Sequence, residues 1–176
     1  MAKAPIPPLN PSEESAWRAL TYVANYLVKT LGEDLASGAP ISVSEYVVLV
    51  HLSEAEDQQL RIGDLASISA LSPSRMSRLV DEMAVKGRVT KSRVADDGRC
   101  TLANLTPLGL STLRATYPTQ LRNVRRRVFD LLTSEEVRAL DTALWKIRDG
   151  LESSNRAAGP ELSRLSSTPG AAPDSK

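Results

Sequence analysis

SPSRMSRLVDEMAVKGRVTKSRVADDGRCTLANLTPLG, residues Ser72–Gly109, is the stretch whose reading decides the fold. Its first twelve residues have the grammar of a short helix. The Ser72 hydroxyl can accept from the free N–H groups of the first turn, and Pro73 suits the first helical position, where a missing N–H costs nothing. Met76, Leu79, Val80 and Met83 recur at i, i+3, i+4 and i+7, which predicts one buried face. Ser74, Arg75, Ser77 and Arg78 fall on the opposite face. Gly87 can adopt the left-handed conformation that stops a helix, with Lys86 at its negative end.

Beyond that stop, Arg88–Val94 and Cys100–Leu105 hold the Val, Thr and Leu expected of strands, and Asp97-Gly98 predicts the tight hairpin turn between them. Lys91 and Arg93, two residues apart, share a strand face. A short helix with Arg and Ser on its open face, followed by a basic hairpin, reads as a winged helix-turn-helix. The helix is expected in the DNA major groove, the hairpin along the backbone or minor groove.

Outward from this centre the chain is mainly helical. Pro11 and Ser12 open a helix to about Leu35, with Trp17, Leu20, Ala24, Leu27, Val28, Leu31 and Leu35 as its apolar stripe. Ser42 and Glu45 form a capping box for a helix from Val43 to about Leu52, with Tyr46, Leu49 and Val50 inward. Leu60-Arg61-Ile62 can add a strand to the wing, and Asp64–Ile68 is the short helix that braces Ser72–Met83. After the wing, Thr106-Pro107 starts a long helix whose stripe is Leu113, Tyr117, Leu121, Val124, Val128 and Leu131. Pro118 is expected to kink or unwind it. Thr133 and Glu136 open the last helix, with Val137, Leu140, Leu144, Ile147 and Leu151 on one side.

The expected organisation is a flexible arm over 1–11, a winged-helix domain over 12–152, and a disordered tail over 153–176. Within the domain, a DNA-binding lobe covers about 42–106, and helices over about 12–35 and 107–152 serve dimerisation. Their stripes exceed what the small lobe can bury, and a two-fold dimer matches the geometry of inverted-repeat DNA.

The net charge of +1 conceals an asymmetry. Residues 1–60 carry 3 basic and 8 acidic side chains, residues 61–99 carry 8 and 5, and residues 100–176 carry 11 and 8. The excess of positive charge thus includes the segment expected to meet phosphate. One cysteine excludes an intrachain disulfide framework, and one histidine argues against a zinc site. No run has the length and apolarity of a membrane span, and no export signal opens the chain, so a cytoplasmic protein without membrane contact is expected. No nucleophile triad, phosphate loop or dinucleotide glycine pattern is present, so neither enzyme activity nor a cofactor is expected.

Asp97-Gly98-Arg99 through Leu105-Thr106-Pro107-Leu108-Gly109 resembles the wing signature of the MarR family of bacterial transcription regulators: Asp-x-Arg, five residues, then Leu-Thr-x-x-Gly. Ser74–Gly87, with Arg78-Leu79-Val80-Asp81 inside it, looks like that family's recognition helix, and Ile41-Ser42 through Leu49 like the start of its second helix. The resemblance spans about Trp17 to Leu151. It implies a homodimeric repressor of a palindromic operator, released by a small ligand that is frequently aromatic or phenolic. It also implies that Arg99 enters the minor groove at the wing tip and that Asp97 holds the wing by ion pairing. Arg88 departs from the pattern, standing where the family usually has an apolar residue, and Pro118 can alter the dimer geometry.

The expected DNA-binding set is therefore Ser42, Ser72, Pro73, Ser74, Arg75, Ser77, Arg78, Lys91, Arg93, Asp97 and Arg99. Arg75 and Arg78 are the expected base readers, and the serines are expected to position phosphates. Tyr22, Tyr26 and His51 are candidates for an effector site, although His51 reads better as a merely packed or exposed histidine. Arg122, Arg125, Arg126 and Arg127 read better as a solvated helix face than as a DNA contact. Trp17 and Trp145 read as core or dimer contacts. Cys100 follows the wing turn, whereas oxidant-sensing relatives carry theirs in the first helix, which sets redox sensing aside. The competing function is a winged-helix module for protein interaction or DNA architecture, without ligand response.

Overall fold

The computed structural model describes residues 6–94 and 97–156, and their side chains except at 94–100 and 154–156. The elements are α1 (Pro11–Ala36), α2 (Val43–Glu54), β1 (Gln59–Arg61), α3 (Ile62–Ile68), α4 (Pro73–Val85), β2 (Val89–Val94), β3 (Asp97–Leu105), α5 (Pro107–Arg127) and α6 (Ser134–Arg156). Single 3-10 turns follow α2 and α5, at Glu56–Gln58 and Phe129–Leu131. This is the expected class, mainly helical with a small β-wing: a winged helix-turn-helix between long terminal helices.

The core of the lobe comes from one stripe per element. Val48, Leu49 and Leu52 of α2, Leu65 and Ala66 of α3, and Met76, Val80 and Met83 of α4 are buried together with Ile41, Val89, Ala103 and Leu113. The α4 periodicity predicts this face, with Leu79 packing at its edge. On α2 the inward residues are Val48, Leu49 and Leu52, while Tyr46 and Val50 are only half-buried. The helix is apolar nearly all round, so period alone does not select its face.

The sheet is antiparallel in the order β1-β3-β2. β1 is shifted one residue from the expected strand, because Ile62 already begins α3. The hairpin also differs. Asp97-Gly98 belongs to β3 rather than to the turn, and Val94 pairs with Asp97 although the preceding pair is Arg93 with Thr101. The ladder thus takes up extra β3 residues as a bulge, which twists the wing.

At the ends of the chain, α1 opens at Pro11, in accord with the expected start at Pro11 and Ser12. Asn10 is its cap, accepting from Ser12 N at 2.9 Å and Glu13 N at 3.0 Å while Glu13 returns the bond to Asn10 N at 2.8 Å. Residue 11 is therefore helical, and α6 runs past the expected limit at 152 to Arg156. The expected disorder of 1–5 and 157–176 lies outside the described residues.

The long helices correct three expectations. The face that α5 buries within this chain is Gly109, Leu113, Thr116, Gln120 and Asn123, and beyond Leu113 it is polar. Tyr117 and Leu121 of the expected stripe point outward. Pro118 does not unwind α5, which continues as helix from Pro107 to Arg127. Trp17 and Trp145 are not core residues, being 60% and 45% exposed in the single chain. Trp145 donates to Asp141 at 2.9 Å, and the Arg148 guanidinium stacks 3.8 Å above its ring. Tyr22, Tyr26, Val28, Leu140, Leu144, Ile147 and Leu151 are likewise exposed. Much of the apolar surface of α1 and α6 thus has no cover among the described residues.

Candidate nucleic-acid interface

The Ser72 Oγ accepts from Arg75 N at 3.3 Å and lies 3.3 Å from the Ser74 hydroxyl, so the cap fixes the first turn of α4. Met76, Val80 and Met83 then anchor the helix from below. Ser74, Arg75 and Arg78 are left exposed, with Ser77 half-buried beside them. Neither guanidinium has an ion-pair partner among the described residues, and an unpaired cation near a helix N-terminus has its full charge available to an anion.

The wing adds Lys91 and Arg93 on one side of β2, both exposed. They differ in state. Lys91 Nζ lies 2.6 Å from Asp81 Oδ1, so an ion pair ties the wing to α4. Arg93 has no such partner among the described residues. The backbone places Asp97 and Arg99 on β3, but their side chains, like that of Cys100, lie outside the described residues.

Ser42 is the cap of α2, not a neighbour of the α4 N-terminus. Its Oγ accepts from Glu45 N at 3.2 Å, and its own N–H donates to Glu45 Oε2 at 2.8 Å. The other carboxylate oxygen of Glu45 accepts from Lys86 Nζ at 2.8 Å and Arg88 Nη1 at 2.7 Å, and these residues follow the opposite end of α4. Burial pushes the Glu45 carboxyl up, but the hydrogen bonds from Lys86 and Ser42 outweigh it and hold it below its ordinary value. Sequence spacing does not show this cluster, because Glu45 and Arg88 are 43 residues apart.

The effector candidates lie on two helices, α1 and α2. Tyr22 and Tyr26 stack on each other at 4.4 Å on exposed α1. His51 sits half-buried on α2, where burial lowers its pKa and the nearby Glu54 carboxylate offsets this only in part. Of the arginine cluster, Arg127 makes a bidentate pair with Asp34 at 2.8 and 2.9 Å, and Arg126 reaches the same carboxylate at 3.1 Å. These two brace α5 on α1 instead of being merely solvated.

The wing signature acquires a physical meaning here. The Thr106 hydroxyl caps α5, accepting from Gly109 N at 3.0 Å, and its proton is shared between the carbonyl oxygens of Gly87 and Arg88 at 2.8 and 2.9 Å. Gly109 is required because a Cβ there would lie 2.1 Å from the Arg88 carbonyl oxygen.

A capped helix with a basic open face, braced by a second helix and joined to a three-stranded wing, defines a winged helix-turn-helix protein. Residues 39–99 match the family model described as MarR family. The fold resembles AbsC, a MarR family transcriptional regulator from Streptomyces coelicolor, at 34% identity and a TM-score of 0.76, over 84% of this chain and 99% of that one. It also resembles Sco3205, a MarR family transcriptional regulator from the same organism solved in complex with DNA, at 30% identity and a TM-score of 0.78, over 85% and 93% of the two chains. BldR from Sulfolobus solfataricus, at 20% identity and a TM-score of 0.66 over 78% and 99%, shares the fold. A comparison with curated protein sequences gives no match. The chain belongs to the MarR family of transcriptional regulators.

Proposed function

We propose that the protein is a sequence-specific double-stranded DNA-binding regulator, acting as a homodimeric repressor on an inverted-repeat operator. The observation that carries this reading is the α4 face, where Ser74, Arg75 and Arg78 stand exposed on a firmly capped helix with both guanidiniums unpaired among the described residues. Arg78 reads a base edge in the major groove, Arg75 supports it, and Ser72, Pro73, Ser74 and Ser77 seat the helix on phosphate. Arg93 and Lys91 follow the backbone from the wing, with Arg99 and Asp97 at its tip. Ser42, at the far side of the lobe, contributes a phosphate contact from the start of α2. The relative Sco3205 was solved bound to DNA, which supports this assignment.

The domain limits follow the same reading: a lobe over about 42–106 and dimerisation helices on either side of it. The exposed residues of α1 and α6 bury one another across the two-fold axis. The stacked Tyr22–Tyr26 pair and His51 are offered as effector contacts for a small aromatic ligand that weakens DNA binding. The protein works by binding and not by catalysis. No described helix is long and apolar enough to cross a membrane, which fits our proposal of a cytoplasmic regulator.

Selection of bound sequences from a random duplex library tests the reading. An inverted repeat should emerge, and Arg78→Ala should weaken it by about 1–3 kcal/mol while flattening preference at one base pair per half-site. Uniform loss on all DNA with base preference intact moves the reading role from Arg78 to Arg75 or to DNA shape. No enrichment of any sequence favours the architectural or protein-interaction module.

A further inference from the structure

Residue 88 lies where four parts of the chain meet. Its carbonyl oxygen accepts from Thr106 N at 3.2 Å and shares the Thr106 hydroxyl proton, which fixes the backbone to the first turn of α5. Its side chain leaves in another direction. Nη1 donates to Glu45 Oε1 at 2.7 Å, and Nη2 donates to the carbonyl oxygen of Pro40 at 2.8 Å, in the connection between α1 and α2. Immediately before it, Lys86 and Gly87 close α4, and Lys86 Nζ binds the same carboxylate oxygen from the open side.

The Arg88 side chain is only 11% exposed and that of Glu45 5%. Burying such a pair has a desolvation cost that an apolar residue of similar volume would avoid, and such replacements are often neutral or stabilising. Stability alone therefore does not account for an arginine here. The guanidinium offers something else: a planar fork whose donors point in fixed directions, so one side chain ties two elements at a set distance.

We propose that Arg88 is a positioning residue for DNA reading. It pins the C-terminal end of α4 to the α1–α2 connection and to the α2 N-terminus, while its own backbone pins α4 to α5. The reading helix is thereby held against the start of α5 and against the connection that leads from α1, and the separation of the two α4 helices in a dimer is set by this joint. The proposal rests on α4 being the DNA-reading helix. Without the fork, the lobe can pivot about its arms and follow half-sites that are wrongly spaced.

Spacing is a readout that a purely structural role does not move. One base pair inserted at the centre of the operator shifts the half-sites by about 3.4 Å and turns them by about 34°, one part in 10.5 of a helical turn. The experiment measures fluorescence anisotropy on the duplex selected by the wild type and on the same duplex with that insertion. The wild type is expected to lose about 30-fold or more, within the range of a lost specific contact at each half-site. Arg88→Met, similar in reach but without donors, should bind the inserted duplex within about 5-fold of the selected one. Arg88→Lys, which can reach Glu45 but not Pro40 as well, should fall between. Glu45→Gln keeps an acceptor for Ser42 N, removes the charge, and should reduce discrimination in the same direction.

A folded Arg88→Met protein that discriminates as strongly as the wild type overturns the proposal alone. If Arg88→Met does not fold, Glu45→Gln decides, and an unchanged ratio overturns it. A wild type that shows no preference for any duplex removes the DNA-reading assignment of α4, and this inference with it.

Discussion

Gly109→Ala should destabilise the protein, although alanine is the better helix former. In favour of the substitution, removing a glycine from a helix gains at most about 1 kcal/mol. Against it, the new Cβ would lie 2.1 Å from the Arg88 carbonyl oxygen and 2.8 Å from Leu105 Cδ1, whereas ordinary contact begins at 3.4 Å. The leucine methyl can turn aside. The carbonyl is backbone, and moving it by about 1.3 Å breaks its bonds from Thr106 N and Oγ1, at 3.2 and 2.9 Å. Two lost hydrogen bonds cost about 1–3 kcal/mol together, and overpacking of the joint costs about 1–3 kcal/mol more. The net loss is about 1–5 kcal/mol, which for a domain of this size lowers Tm by about 2–20 °C. Thermal and urea unfolding at one fixed protein concentration measure it. Gly63→Ala is the control, because its Cβ meets nothing within 4 Å, and it should be neutral to slightly stabilising. A Gly109→Ala protein as stable as the wild type would show that α5 does not dock on residue 88 as described, and the account of the wing signature would fall.

Ala70 holds φ at +51° in the turn before α4, a region that disfavours a side chain, so Ala70→Gly should raise stability by about 0.5–1 kcal/mol in urea titration; a loss instead would mean the turn is not left-handed. Lys91 is already neutralised by Asp81, so Lys91→Ala should flatten the salt dependence of DNA binding by less than about 1.8 in log K per log salt, twice the 0.9 of one free contact. Asp81→Asn should steepen that dependence, and no change would show that the pair is absent in solution. The Glu45 carboxyl is held below its ordinary value of 4.5, so its contribution is complete above that pH and is lost as pH falls through the lowered folded value. Stability of the wild type should accordingly drop below about pH 4.5, where the unfolded chain begins to bind the proton first. Glu45→Gln should be less stable at neutral pH and lose less on acidification, and parallel stability curves for the two proteins would refute the network.

What the sequence by itself determined is local. The Ser72 cap, Pro73, the Met76–Val80–Met83 stripe and the Gly87 stop were legible because each depends on residues within two turns of one another, and Gly87 indeed sits at φ +70°. The Ser42–Glu45 and Thr133–Glu136 boxes were legible for the same reason. Only the tertiary structure decided the rest. It alone joined Glu45 to Lys86 and Arg88, paired Lys91 with Asp81, and bound Arg126 and Arg127 to Asp34. It alone chose which side of α5 faces the lobe, because Leu113–Tyr117–Leu121 and Leu113–Thr116–Gln120 are both regular stripes, and period does not say which meets its own chain. Helical spacing records that a face will be covered; what covers it depends on where the chain returns, and that is set by packing between elements far apart in sequence.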